Sequence, residues 1–311
     1  MKPYRFHAFG LTIESEIDLD RLLPARADGR AEVFVSLHGV PTALEHPTLC
    51  AAGLEANARE VLFRVDGVAD FYIRDGSHIA VSPRVSPAAP LLQAYLLGTC
   101  IGALLLQRGV LPLHGSCVCK DGQGLLIMGA SGAGKSTLAT EFLSRGWKLV
   151  SDDVTPVTTR EGICRACPSY PSQKLWEDAL GSHREAMDRK RGVIWESEGR
   201  AKYALDASAL FHGEEVALRR IVALMPVDGE ALRVVPIGGL TVVDALMKGT
   251  YRPYLIADIP GKQTQFTQCV QIAQAVPMLY VERPQYQRTE SEIARRVLAH
   301  FEEESSHEFI R

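Results

Sequence analysis

The chain has 311 residues, of which 46% are hydrophobic and 23% charged; this is the make-up of a folded globular protein and excludes disordered and fibrous classes. With 34 basic against 37 acidic residues, the net charge is -3 and the pI lies near 6.3, so there is no basic surplus and no nucleic-acid partner is expected. Seven cysteines make an odd count, and the N-terminus lacks the basic, apolar and small-residue regions of a secretory signal, so reduced thiols and a cytoplasmic setting are expected.

Residues 1–90 read as a small, mostly antiparallel β domain. Phe6 to Glu14, Glu32 to Leu37, Glu60 to Val65, Asp70 to Arg74 and Ser77 to Val81 alternate or carry β-branched and aromatic residues, as strands do. Asp75-Gly76 is a strong hairpin signal between the last two. A proline-bounded linker leads to the apolar run Leu91 to Arg108. Its core is broken by Gln93, Tyr95, Gly98, Thr99 and Gly102, which argues for a buried helix and against a membrane span.

Residues 91–311 read as a second, α/β domain. An apolar strand from Leu111 to Cys119 turns at Lys120 to Gln123 and returns through Gly124 to Met128 straight into a glycine-rich loop. A helix begins at Lys135 and stops near Gly146; a short strand, Trp147 to Ser151, then ends in Asp152-Asp153. Beyond it, strands Arg220 to Pro226 and Arg233 to Pro236 intersperse with helices Val242 to Lys248, Phe266 to Ala275 and Glu290 to Glu303. Ser182 to Lys202 is polar and charge-mixed and is expected to be a mobile surface segment.

Gly129-Ala-Ser-Gly-Ala-Gly-Lys135-Ser136 matches G-x-x-x-x-G-K-[ST] in full, in the strand–loop–helix setting this P-loop pattern requires. Gly129, Ala130, Ser131, Gly132, Ala133 and Gly134 would cradle the phosphates of ATP with backbone N–H groups, helped by the positive end of the helix that runs on through Ser136 and Thr137. Lys135 would reach the β- and γ-phosphates and Ser136 would hold Mg²⁺. Asp152 and Asp153 end the next strand, at the edge where open α/β sheets bind ligands. Two carboxylates there can divide the work, Asp152 joining Ser136 on Mg²⁺ and Asp153 taking the proton of an attacking hydroxyl, with the reverse assignment left open; the alternative is an exposed polar turn after the strand. His114 opens the strand that leads towards the loop and is either a catalytic group beside the phosphates or a structural histidine. Lys174 and Arg252, each beside aromatic residues, are candidates for gripping phosphate or peptide, or else surface charges packed on rings. Cys164 and Cys167 form a lone C-x-x-C without a second ligand pair, which argues against a zinc site.

His114, Lys135 and the aspartate pair 17 and 18 residues later resemble the core of HPr kinase/phosphorylases. The resemblance implies a histidine at the phosphate site, a lysine and serine on ATP–Mg²⁺, and an aspartate that activates a substrate serine, carried here by His114, Lys135, Ser136 and Asp153 or Asp152. The whole chain further resembles the HPr-kinase-like kinases of lasso-peptide gene clusters, in Phe9-Gly-Leu-Thr-Ile-Glu-Ser-Glu, Leu113-His-Gly-Ser, Pro171 to Trp176 with Asp178-Ala179, and Tyr251-Arg-Pro. That branch implies a peptide partner, a lasso precursor phosphorylated on its C-terminal serine. The β-rich N-terminal unit and the missing glycine- and arginine-containing C-terminal loop depart from the HPr enzymes and argue against phosphorolysis, HPr recognition and a hexameric ring. The expectation is thus an HPr-kinase-like P-loop kinase core behind a small β-rich domain, using ATP and Mg²⁺, without membrane or nucleic-acid partners and with homo-oligomerisation left open. An HPr-type protein kinase and a small-molecule kinase are the alternatives within the class; a P-loop switch or transport ATPase is the alternative outside it, and a non-enzymatic nucleotide-binding module a third.

Overall fold

The alternating N-terminal segments form strands in the computed structural model, which describes residues 3–25, 29–180, 184–197, 199–255 and 261–308. β1 (Tyr4–Ala8), β2 (Leu11–Ser15), β3 (Leu23–Pro24), β4 (Val33–Ser36), β5 (Leu49–Ala51), β6 (Leu54–Ala56), β7 (Glu60–Val65), β8 (Ala69–Arg74) and β9 (His78–Pro83) share one nine-stranded sheet. Their order is β3-β1-β2-β4-β9-β8-β7-β6-β5, with β4 parallel to both neighbours and the other pairs antiparallel. The stretch expected as one strand, Phe6 to Glu14, is a hairpin. Phe9 and Gly10 both take positive φ (57° and 72°), a two-residue turn whose twist matches that of the flanking strands, and the phenyl ring at Phe9 masked the signal. Asp75-Gly76 makes the same kind of turn (φ 54° and 61°).

The apolar run is helical but not uniform. α1 (Pro90–Tyr95) passes through a π-helical turn, Leu96–Cys100, into α2 (Ile101–Gln107). Pro90 occupies the first turn, where its missing N–H has no intrahelical partner to lose. The 18 residues Pro90–Gln107 are long and apolar enough to cross a membrane, yet 72% of the segment is buried inside the protein. Leu92, Leu96, Ile101 and Leu104 pack into the same core as Phe71, Ile73 and Ile79 of the N-terminal sheet. That burial accounts for so apolar a helix in a chain of otherwise ordinary composition.

The rest of the chain contributes β10 (Leu111–Lys120), β11 (Gln123–Gly129), α3 (Lys135–Ser144), β12 (Lys148–Ser151), β13 (Val154–Arg160), β14 (Ile163–Ala166), β15 (Ser172–Trp176), α4 (Glu177–Leu180), α5 (Arg184–Met187), β16 (Lys190–Ser197), β17 (Arg200–Asp206), β18 (Val216–Val227), β19 (Arg233–Ile237), α6 (Leu240–Lys248), α7 (Lys262–Ala275), β20 (Met278–Pro284) and α8 (Glu290–Glu308). An eight-stranded mixed sheet runs β11-β10-β13-β14-β18-β20-β19, with β12 on β10 and a further parallel pairing of β11 with β18. Helices cover both faces: α3 and α8 share one core with Phe142, Ile293 and Val297, and α6 and α7 share another with Leu246, Cys269 and Ile272. The fold is therefore mixed α/β, preceded by a β-rich region.

The polar segment from Ser182 to Lys202 does not behave as a mobile loop. Its residues 182, 183 and 198 lie outside the described residues, but β16 and β17 pair through it and join β15 in a three-stranded sheet. A strand solvated on one face can be highly charged, because the ladder and the buried face supply its order.

Candidate active site

β11 is flanked by β10 and β18 and delivers its carboxyl end to the glycine-rich loop, residues 129–134. Gly129 (φ 150°) has no room for a side chain, since a Cβ there would lie 2.7 Å from the Leu224 carbonyl oxygen. Gly134 caps α3 in the left-handed region (φ 98°), and a Cβ would come within 2.6 Å of the Arg283 guanidinium. Lys135 curls back over the loop, its Nζ donating to the carbonyls of Gly129 and Ala130, each at 2.9 Å. Burial pushes its amine down to about 8, against the pull of Asp153 and Asp152. From β20, Arg283 donates to the Ala133 carbonyl at 3.1 Å and clamps the loop from outside.

The two aspartates at the end of β12 point to different partners. Asp152 is buried: its Oδ1 accepts from Ser116 Oγ (2.5 Å) and Ser136 Oγ (3.0 Å), and its Oδ2 from the Lys174 backbone N–H (2.7 Å). Asp153 takes a positive φ of 72°, a conformation that costs a non-glycine residue energy and recurs at functional sites. Its Oδ2 accepts from Lys174 Nζ at 2.7 Å, and its Oδ1 lies 3.4 Å from His114 Nδ1. Nδ1 is also 3.0 Å from the Asp153 carbonyl, which can only accept, so Nδ1 carries the hydrogen and Nε2 is free for the cleft.

Burial alone would raise the Asp153 carboxyl, but the charge of Lys174 foremost, then of His114, which is protonated at the low pH where this carboxyl titrates, and of Lys202 outweigh it and hold the group well below the usual carboxylate range. Lys174 is the mirror case: burial would lower it, and Asp153 holds it above its ordinary value. His114 is lowered by burial, which prevails over the attraction of Asp153, so the ring is neutral around pH 7.

His114, the loop, Lys135, Ser136, Thr137, Asp152, Asp153, Lys174 and Arg252 all border one cleft of about 1420 Å³. Ala133 is the exception within the loop; its methyl packs into the core beneath α3. Lys174, expected at the surface or on a ligand, has its ammonium on Asp153 instead, with only 9% of the side chain exposed. Arg252 takes a positive φ of 53° and sits 5.4 Å from the Tyr251 ring. Cys164 and Cys167 are buried away from the cleft, bonded to Thr159 and Glu215, and among the described residues no three His, Cys, Asp or Glu side chains gather into a metal-holding group.

Sequence reading gave no role to several groups that the fold makes central. Ser116 is a small polar residue in an apolar strand, the only local sign that it faces Asp152. Gln173 is fully buried, tying β15 to α3 through the Ser136 carbonyl and Thr140 Oγ1, both at 3.0 Å. Tyr251 lies 5.6 Å from His114, ring to ring, and sits against Gly98 and Gly102, where any Cβ would approach it within 2.8 and 2.7 Å. The i, i+4 glycine pair is the signal that could have found this seat.

A family model described as SynChlorMet cassette protein ScmC matches residues 92–188. The HPr kinase/phosphorylase of Clostridium novyi is 38% identical over 65 residues, 21% of this chain and 21% of that protein. The HPr kinase/phosphorylase of Brevibacillus brevis is 37% identical over 90 residues, 27% of this chain and 28% of its own. The solved Hpr(Ser) kinase/phosphatase of Coxiella burnetii aligns over 63% of this chain and 98% of its own at 15% identity, with a TM-score of 0.31 that supports no argument about shape. The matches span about a fifth to a quarter of the curated relatives' length. Over that part, the chain has partial homology to the HPr kinase/phosphorylases.

Proposed function

We propose that the chain is an ATP- and Mg²⁺-dependent kinase of the HPr-kinase type, with a P-loop at residues 129–136, that phosphorylates a serine hydroxyl of a protein or peptide. The observation that carries this reading is the division of labour between the aspartates: one bonded to the P-loop serine, the other held ionised by Lys174 and facing the open cleft. The residues fit the nucleotide. Nε of Arg252 and of Arg283, both bordering the cleft, is buried without a hydrogen-bond partner, and the two carbonyls that hold Lys135 are replaceable by phosphate oxygens. Ser136 and Asp152 are oxygen donors suited to Mg²⁺, which keeps several waters and needs few protein ligands.

ATP–Mg²⁺, when bound, supplies the phosphoryl group and neutralises part of its charge. The loop N–H groups and Lys135 bind the phosphates, and Ser116 orients Asp152 through its Oδ1. Asp153 accepts the proton of the serine hydroxyl at Oδ1, the oxygen that Lys174 leaves uncovered, as the serine oxygen bonds to the γ-phosphorus and the bond to the ADP oxygen breaks. Such a loose transition state needs little basicity, so a carboxylate with a depressed pKa suffices. Neutral His114 offers Nε2 to the cleft, and Lys174 positions Asp153 without touching the reacting atoms.

The partial similarity to HPr kinase/phosphorylases supports an HPr-type protein acceptor ahead of a lasso-peptide precursor, and both are proposals. Seven free cysteines, six of them buried, suit the reducing cytoplasm in which we place the reaction. The test is mass spectrometry of HPr and of a lasso precursor ending in serine, each incubated with ATP–Mg²⁺ and the chain or its Asp153→Asn variant. Phosphate on a serine, transferred about 10²–10⁴-fold more slowly by the variant, is expected. ATP hydrolysis of equal rate in both proteins with no transfer would replace this reading by an ATPase.

A further inference from the structure

Three side chains stand in register across the three-stranded sheet: Trp176 on β15 opposes Lys202 on β17, and Lys202 opposes Trp195 on β16. Opposed residues project from the same face of a sheet. Here that face is the cleft side, because Lys174, two residues before Trp176, reaches Asp153 and alternate residues of a strand share a face. A register shift between Val193 and Trp195 turns Trp195 onto it, a use of irregular pairing common beside active sites. All three side chains border the cleft.

The row is chemically unspent. Trp195 is 42% exposed although its ring lies 6.4 Å from Tyr95. The Arg200 guanidinium rides 4.8 Å from the Trp176 ring but is neutralised by Asp178 at 2.7 Å. Lys202 is 5.7 Å from the same ring and, among the described residues, has no carboxylate within ion-pairing distance. Its charge is felt by His114, Lys135 and Asp153, so the row lies within electrostatic reach of the reacting centre. The cleft, at about 1420 Å³, is larger than the roughly 300–1,000 Å³ of a site for one small ligand, which leaves space for a second substrate beside a nucleotide.

We infer that this row is the acceptor subsite and that it takes an acidic, apolar peptide segment: a carboxylate on Lys202 and an apolar or aromatic side chain over Trp176 and Trp195, next to the hydroxyl presented to Asp153. The inference rests on the kinase reading for its second substrate. A lysine lacking a counter-ion, near the Trp176 ring and in register with Trp195, complements an acid flanked by apolar groups and repels a basic segment.

Trp147, the third tryptophan, is buried in the core behind α3, so fluorescence changes on binding report on the row. The experiment titrates the full chain with serine peptides of equal length, one set bearing Asp and Phe beside the serine and one bearing Lys and Phe, and separately with ATP–Mg²⁺. Expected are a fluorescence response to the acidic set that shrinks in Trp195→Phe, and about tenfold weaker binding of that set to Lys202→Gln, as for loss of a charged hydrogen bond. Lys202→Arg restores the binding and Lys202→Glu turns the preference to the basic set. Equal response to both sets, no response to either, or weaker binding of ATP rather than peptide in Lys202→Gln would each overturn the subsite. Acidic-set binding at the row without phosphate transfer upholds the subsite and removes the kinase reading; transfer to both sets alike does the reverse.

Discussion

The N-terminal sheet and the cleft sheets differ in what they bury. Around β8 and β9 the core is apolar, with Phe71 stacked on Phe63 at 4.8 Å, and its buried polar side chains are few, such as Ser15 and Gln93. Around the cleft, Ser116, Lys135, Asp152, Gln173 and Lys174 are all buried and bonded to one another or to the backbone. Positive φ at non-glycine residues serves hairpin turns in both regions, at Phe9 and Asp75 and again at Asp121 and Glu161, but only Asp153 and Arg252 take it beside the cleft. One region is held by an almost wholly apolar core. The other holds buried charge and backbone strain, both of which cost stability and persist where function uses them.

The two regions differ most at Lys174, a buried ammonium paired with Asp153. Lys174→Met leaves Asp153 without its closest counter-charge and should destabilise the chain by about 3–5 kcal/mol in urea denaturation. Adding Asp153→Asn should recover much of this stability but not phosphoryl transfer; no recovery would mean that Lys174 acts through packing. Ile73→Ala, by contrast, opens a cavity in the N-terminal core, with an expected loss of about 2–5 kcal/mol. The folded fraction should keep its kcat and its KM for ATP, and a lowered kcat would show that the two regions are coupled. Gly102→Ala tests that coupling directly. The methyl must displace Tyr251 at an expected cost of about 1–3 kcal/mol, lowering kcat with little change in ATP affinity.

The smallest effect is one of pH. The Lys135 amine falls from its ordinary 10.5 to about 8 in the folded protein, so between these values the unfolded chain holds more protons and stability contributed by this group rises with pH. Affinity for ATP should move the other way, weakening as pH climbs through 8 because the neutral amine no longer attracts phosphate. Calorimetric titration from pH 7 to 9.5 checks it, and a flat profile in place of a declining one would remove Lys135 from the phosphate site.

Much of this arrangement was readable before folding. The loop at Gly129 to Ser136 lies between a strand and a helix because a short continuous apolar run precedes it and a helix-forming segment closed by Gly146 follows, both local properties. The Asp75-Gly76 turn was legible for the same reason. The Phe9-Gly10 turn was not, since a phenylalanine seldom takes a left-handed φ unless surrounding packing holds it there, and Phe9 is buried against Tyr170. The β16–β17 hairpin was hidden by its charged, solvated positions.

By itself the sequence determined the strand–loop–helix with Lys135 and Ser136 and the β-rich character of the first ninety residues, because these rest on neighbours within a few positions, while His114, Asp152 and Asp153 became candidates through their spacing from the loop. Only the tertiary structure decided that Lys174 faces Asp153, that Ser116 and Ser136 meet on one oxygen of Asp152, and that Tyr251 rests on Gly98 and Gly102. These partners are far apart in the chain, and strand pairing and sheet packing bring them together. Which charge neutralises which is therefore a property of the register, and a one-residue shift of β15 would turn Lys174 away from Asp153 while leaving every local pattern intact.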